Sequence, residues 1–254
     1  MRVTFLGTGT SQGVPVIACN CSVCLSDNKK DKRLRSSILI ESETTTVIID
    51  TGPDFRYQML RANVQNLDAV VFTHEHKDHI AGLDDVRAFN YKQQSAMEIY
   101  ANESVQTALK REFFYVFLDF KYPGIPLLNL HTIDKNQPFT IGDITFTPIE
   151  ALHYKLPILG FRINDFVYLT DVKTIAEEEL VKLSGAKYLV LNALQKENHL
   201  SHLTFQEAID LAEEVGAEHT FFTHISHRLG KYIDVTKELP SDISLAYDGL
   251  QINI

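Results

Sequence analysis

The stretch Thr73-His74-Glu75-His76-Lys77-Asp78-His79-Ile80-Ala81 follows directly on the apolar run Ala69-Val70-Val71-Phe72. That run is β-branched and aromatic, so Leu67 to Thr73 is predicted as a buried strand with His74 just past its end. Alternate side chains share a face in extended backbone, so His74 and His76 can reach one ion. Asp78 and His79, on a tightening turn, reach a second position beside it. Three histidines and an aspartate within six residues point to two adjacent metal sites more than to a solvated polar loop.

The chain has 254 residues, 44% of them hydrophobic, enough to bury a sizeable core, and it reads as one domain over residues 1–254. Met1 to Leu6 shows no basic segment followed by an apolar one, and no apolar run is long enough to span a bilayer. The expectation is a cytoplasmic protein without membrane contact. A net charge of −9 disfavours broad capture of nucleic acid, although Lys29, Lys30, Lys32, Arg33 and Arg35 form a local patch that could hold a phosphate or simply be a solvated loop. Arg56, beside a helix start at Pro53 to Phe55, offers the same choice between a substrate phosphate and a surface ion pair. The aromatic run Phe113, Phe114, Tyr115, Phe117, Phe120 and Tyr122 suits a lid, a homodimer face or core packing.

Three cysteines, Cys19, Cys21 and Cys24, cannot form a paired disulfide framework, and their C-x-C-x-x-C spacing offers three thiolates to a closed tetrahedral zinc site. The fourth ligand is missing locally. His227, three residues after His224 in T-H-I-S-H, is the candidate, and it would make this zinc a clip between the two ends of the chain. The loop Gly7-Thr8-Gly9-Thr10-Ser11-Gln12-Gly13 lacks the Lys and helix start of a nucleotide-binding loop. It reads as a tight turn that lets backbone approach the metal centre.

The spacing H-x-H-x-D-H after an apolar strand resembles the metallo-β-lactamase superfamily. The resemblance implies an α/β (α+β) chain folded as an αββα sandwich, and it extends from the G-T-G-T-S string, similar to the phosphodiesterase branch, to His224 and His227. It implies further that His153, after the strand Ile144 to Ile149, is the remaining imidazole of the first site. It gives Asp50 a supporting role by hydrogen bonding, and makes His224, after the strand Thr220 to Thr223, the last ligand of the second site. His202, just before the capping box Thr204/Glu207, resembles the histidine of the H-x-T motif in that branch, which includes the tRNA 3'-processing endonucleases. The Cys3His arrangement resembles the phosphoribosyl cyclic phosphodiesterases of the carbon-phosphorus lyase pathway. His131, His199 and His219 read as exposed or supporting residues.

Asp171, at the end of the hairpin Leu159 to Thr170, has two oxygens and can bridge two cations. The expected ligand sets are then His74, His76 and His153 for one ion and Asp78, His79 and His224 for the other, with Asp171 between them. Zinc or manganese suits these donors, and iron is accepted; with the cysteine site the cofactors are two catalytic divalent ions and one structural zinc. Histidine at position 76, where the oxidoreductase branch carries glutamate, favours hydrolysis. Hydroxide held between the two ions would attack an electrophilic phosphorus in line with the leaving oxygen, with Asp78 helping to orient it. His202 would donate a proton to an alkoxide leaving group. The expected substrate is a small (cyclic) phosphodiester such as a phosphoribosyl cyclic phosphate; a tRNA 3'-processing nuclease, a thioester or lactam hydrolase and a non-catalytic metal-binding module are the alternatives.

Overall fold

In a computed structural model, which describes residues 1–119 and 122–254, two seven-stranded sheets pack face to face. The first contains β1 (Arg2–Gly7), β2 (Ser37–Glu41), β3 (Thr46–Ile49), β4 (Ala69–Val71), β5 (Met97–Ala101) and β6 (Leu128–Thr132). The second contains β7 (Phe139–Ile141), β8 (Ile144–His153), β9 (Leu156–Ile163), β10 (Phe166–Tyr168), β11 (Tyr188–Asn192), β12 (His219–Thr223) and β13 (Ile243–Leu245). The last strand, β14 (Gln251–Asn253), returns to the first sheet and pairs antiparallel with β1. The helices are α1 (Phe55–Arg61), α2 (Lys77–Ile80), α3 (Arg87–Gln93), α4 (Glu103–Glu112), α5 (Glu177–Leu180), α6 (Phe205–Val215) and α7 (Tyr232–Val235).

The apolar runs explain the layering. A strand covered on both faces needs apolar side chains at consecutive positions, and β4 has them: Ala69 and Val71 face the core between the sheets, while Val70 packs with Phe55, Met59 and Phe89 on the helix side. In the opposite sheet Val190 faces the shared core, and Leu189 and Leu191 pack under Phe205, Ala208 and Ile209 of α6. Each sheet thus has one face on its partner and one under helices, which is the αββα sandwich expected from the sequence. β3 to β6 run parallel, as do β10 to β13. Their carboxyl ends are where the loops bearing Asp50, His74, Asp171 and His224 begin, the usual place for a site in parallel sheets.

The Thr204/Glu207 capping box and the left-handed Gly216 that ends α6 are both present. Other boundaries differ. The spacing of apolar residues from Val105 to Leu118 predicts one helix, but the helix stops at Glu112, because Phe113 leaves helical geometry at φ −114° and ψ 40°, and a 3-10 turn follows over Phe114–Phe117. Leu83 to Tyr91 divides into a 3-10 turn, Leu83–Val86, and α3. The aromatic run divides too: Phe113 is buried in the helix-side core, Tyr115 donates to Asp84, and Phe114 and Tyr122 are exposed. Phe120 lies outside the described residues.

The fold engages four of the five residues of the basic patch and leaves Lys29 exposed. Arg33 is buried and donates to Thr8 Oγ1 and the Ala246 carbonyl, and Arg35 pairs with Asp54. Lys30 lies over the rings of Tyr232 and Tyr247, and Lys32 donates to the Cys24 carbonyl. Arg56 makes no ion pair among the described residues and lines a recess of about 280 Å³ between α1 and α3.

Close backbone approach holds the histidine loop down. A Cβ added to Gly52 would lie 2.1 Å from the Asp78 carbonyl oxygen, so Gly52→Ala must push the loop away from β3. We expect it to lower stability by about 1–3 kcal/mol, as overpacking does, read as a lower urea midpoint at unchanged slope.

Candidate metal centre

His74 and His76 follow β4, Asp78 and His79 start α2, His153 ends β8, Asp171 lies beyond β10, and His224 follows β12. The rings of His74, His76 and His153 surround one space, with centroids 4.7, 5.0 and 5.7 Å apart. Donor atoms of Asp78, His79, Asp171 and His224 lie within 4.8 Å of one another. Asp171 Oδ1 is 3.1 Å from His224 Nε2 and Oδ2 is 3.4 Å from His79 Nε2, and a donor atom of Asp171 also lies within 4.8 Å of one of His153.

The orientation of each ring is fixed from behind. His79 Nδ1 is 2.7 Å from Asp50 Oδ2, an obligate acceptor when ionised. His153 Nδ1 is 2.8 Å from the carbonyls of both Asp171 and Ser201. His224 Nδ1 is 3.2 Å from Ser36 Oγ, whose own hydrogen goes to the Gly9 carbonyl at 3.0 Å. His74 Nδ1 is 3.0 Å from Thr73 Oγ1, which donates to Asp50 at 2.8 Å. Each of these four Nδ1 atoms therefore faces an oxygen that can accept its proton, which leaves the Nε2 lone pair free to serve as the donor toward the centre. His76 is exposed and has no such support.

Those lone pairs test whether metal ions fit. His74 Nε2 and His79 Nε2 are buried without hydrogen-bond partners among the described residues, and the second lies 3.2 Å from Asp78 Oδ2. A lone pair that close to a carboxylate oxygen requires positive charge between them, supplied by a proton or a cation. The electrostatics agree. Burial lowers the proton affinity of His79, but Asp78, Asp171 and Asp50 together outweigh it and hold the imidazole well above its usual range. Burial raises Asp171, yet His224 and His79 hold its carboxyl well below the usual carboxylate range. His74 is pushed well down by burial and then by His79, and His224 is pushed down to about 4, chiefly by burial.

Three site residues carry left-handed backbone: Asp50 (φ 65°), Asp171 (φ 64°) and His224 (φ 53°). Such conformations persist where surrounding contacts over-determine them. For Asp171 that contact is Asn192, a residue the sequence reading passed over. Its side chain accepts from the Val172 amide at 2.6 Å and donates to the Val172 carbonyl at 3.1 Å. Ser36 and Thr73 were missed as well, since nothing in their local sequence marks a hydroxyl behind a histidine.

His202 enters the same centre. Its Nε2 is 3.1 Å from Asp171 Oδ1, and with His153 and Asp171 it forms a third donor group. Cys19, Cys21, Cys24 and His227 gather separately, each Sγ 3.2–3.5 Å from His227 Nδ1. The Cys21 thiol is pulled down to about 6, first by the Cys24 amide, whereas burial pushes Cys24 up to about 11. His131 faces Glu98 and His219 lies 3.0 Å from Ser244 Oγ, both away from this centre.

The model of the β-lactamase superfamily domain matches residues 45–225. A solved structure described as a new diphosphatase from the PhnP family is 38% identical and superposes with a TM-score of 0.93, covering 100% of this chain and 97% of the other. An octanoyltransferase of Porphyromonas gingivalis is 40% identical over 253 residues, 99% of this chain but 51% of the relative. A ribonuclease Z of Acaryochloris marina is 25% identical over 169 residues, 65% of this chain and 48% of the relative. The chain spans about half the length of these curated relatives.

Replacing Asp50 by Asn keeps the shape but removes the acceptor that fixes His79 and Thr73. We expect Asp50→Asn to weaken metal binding roughly 10- to 100-fold, the usual cost of losing such a partner, measured by competition with a chromogenic chelator.

Proposed function

The chain belongs to the metallo-β-lactamase superfamily, in its PhnP-like branch, and on that premise we propose that it is a metal-dependent phosphoric diester hydrolase acting on a small phosphodiester. The observation that carries this reading is the set of four imidazoles whose Nδ1 atoms are tied to oxygens, two of which, His79 and His224, direct Nε2 at the Asp171 carboxylate. In this reading His74, His76 and His153 would hold one divalent ion and Asp78, His79 and His224 the other, with Asp171 available to both. The nitrogen-rich donors fit zinc and also manganese, and Cys19, Cys21, Cys24 and His227 hold a third, structural zinc. When bound, the ion pair supplies Lewis acidity and makes hydroxide available near neutral pH.

The chain's own residues do the rest. Asp78 orients the attacking oxygen. His202 gives a proton from Nε2 to the leaving oxygen as the P–O bond breaks, which removes the need to expel a free alkoxide. Asp50, Ser36 and Ser201 keep the imidazoles turned inward throughout.

A second reading, cleavage of a diphosphate, is favoured by the 38% identical PhnP-family structure, which is described as a diphosphatase. The leaving group separates the two: a phosphate leaves without protonation more readily than an alkoxide does. A tRNA-processing reading draws on the ribonuclease Z relative. Against it stand the net charge of −9 and the engagement of Arg33, Arg35, Lys30 and Lys32 within the fold, which leaves that segment little charge for a phosphate backbone.

Two measurements test the proposal. Protein loaded with zinc or manganese should release nitrophenol from bis(4-nitrophenyl) phosphate, and Asp171→Ala should not; no turnover with both ions present overturns the reading. His202→Ala should retain its metal and slow esters of poor leaving groups roughly 100- to 10,000-fold while slowing nitrophenyl esters far less.

A further inference from the structure

His199 read as an exposed or supporting histidine from the sequence. In the structure it is half-buried and stands behind His202. Its Nδ1 lies 3.2 Å from His202 Nδ1, with the rings inclined at 55°. Ser201 Oγ stands beside both, 3.1 Å from His202 Nδ1 and 3.4 Å from His199 Nδ1, so a hydrogen links the two nitrogens either directly or through that hydroxyl, and the surroundings decide which nitrogen owns it. The Ser201 amide donates to His199 Nδ1 at 3.3 Å. A nitrogen that accepts from an amide carries the lone pair, so the proton between the two rings belongs to His202. His199 is itself kept in its neutral form, because burial and the neighbouring His202, His153, Lys173 and Arg228 all lower its proton affinity.

The other edge of His202 is equally constrained. Nε2 faces Asp171 Oδ1 at 3.1 Å, and the ring is stacked on His224 at 15° and 5.0 Å. The backbone is pinned on both sides, with the Leu203 amide on the Val172 carbonyl at 2.9 Å and the Leu203 carbonyl accepting from Leu194 at 3.1 Å. The remaining freedom of the His202 side chain is rotation of its ring, which would exchange Nδ1 and Cδ2. His199 opposes that rotation.

We propose that His199 is a positioning residue that holds the Nδ1–H of His202, so that Nε2 is the nitrogen that delivers the proton to the leaving group. The inference rests on the general-acid reading of His202. In the step itself, the Nε2–H proton moves to the leaving oxygen as that oxygen takes the electron pair of the breaking P–O bond. His202 is left as the neutral Nδ1–H tautomer, still donating to His199. His199 neither gains nor loses a proton.

The test uses the metal-loaded full chain and two diesters, methyl 4-nitrophenyl phosphate and methyl phenyl phosphate. The second must expel a phenol of pKa about 10, similar to that of tyrosine. His199→Leu, which has no acceptor, should lower kcat on the phenyl ester roughly 10- to 100-fold more than on the nitrophenyl ester, as misplacement of a reacting group by about 1 Å does. His199→Asn, whose side-chain oxygen can stand near the place of Nδ1, should restore most of that difference. Metal content should not change, and His199→Leu should add nothing in a His202→Ala background. Equal slowing of both esters by His199→Leu, or an undiminished effect without His202, overturns the inference. If His202→Ala itself shows no dependence on the leaving group, the general-acid reading fails and this one with it; if His202→Ala shows the dependence and His199→Leu does not, only the role of His199 is overturned.

Discussion

Asp50 accepts from the Thr73 amide, the Thr73 hydroxyl and His79 Nδ1, at 2.9, 2.8 and 2.7 Å. It is completely buried, where burial raises its proton affinity against the pull of His79. An ionised carboxylate in such a place is tolerated only while its hydrogen bonds are all made. The three donors come from the loop that follows β4, so the same bonds that satisfy Asp50 draw that loop onto the end of β3. Gly52 allows the approach, with the Gly82 amide closing it by a bond to Thr51 at 2.8 Å. The geometry of His74 and His79 is therefore a consequence of keeping one buried charge satisfied.

Strain and support are distributed in the same way on the other sheet. Asp171 and His224 adopt left-handed backbone, at a cost of about 1–3 kcal/mol each. Asn192 holds the first, and Ser36 and the Thr8 carbonyl, which accepts from Ile225 at 2.9 Å, hold the second. The loop carrying His224 also carries His227, whose ring meets the cysteines of the loop after β1. A short segment thus supports two donor clusters at once. That explains why the glycine-rich loop lies where it does: a Cβ on Gly7 would fall 1.9 Å from the Arg35 carbonyl oxygen, and only without one can the backbone run between Arg35 and the His224 loop.

Much of this was legible because it is written in local spacing. The run Ala69 to Val71 is apolar at every position because both of its faces are covered, and Thr204 with Glu207 sits at the one spacing that closes a capping box. The parts that were not legible depend on contacts between distant residues. Nothing near Ser36 says that a histidine 188 positions away will lean on it, and nothing near Arg33 says that it will be buried between Thr8 and Ala246. β13 and β14 are three residues each and take their pairing from neighbours already in place. β6 is a different case: Leu128-Asn129-Leu130-His131 alternates in the manner of an edge strand, and that signal was present.

The pair His199 and His202 has the same character, since the two rings are three positions apart but the tautomer depends on the Ser201 amide and hydroxyl between them and on Asp171 across the site. A histidine that donates through Nε2 must have its Nδ1 occupied, or it can rotate and present carbon to the leaving group. The other inward-facing histidines meet this requirement with an oxygen: a carboxylate for His79, carbonyls for His153, hydroxyls for His74 and His224. For His202 a second imidazole at 3.2 Å joins the Ser201 hydroxyl at 3.1 Å in meeting it. Carboxylate support would add negative charge behind a group that has to release a proton, making that release harder. A neutral nitrogen lone pair fixes the orientation without adding that charge, so the chemistry proposed for His202 accounts for the kind of partner it has.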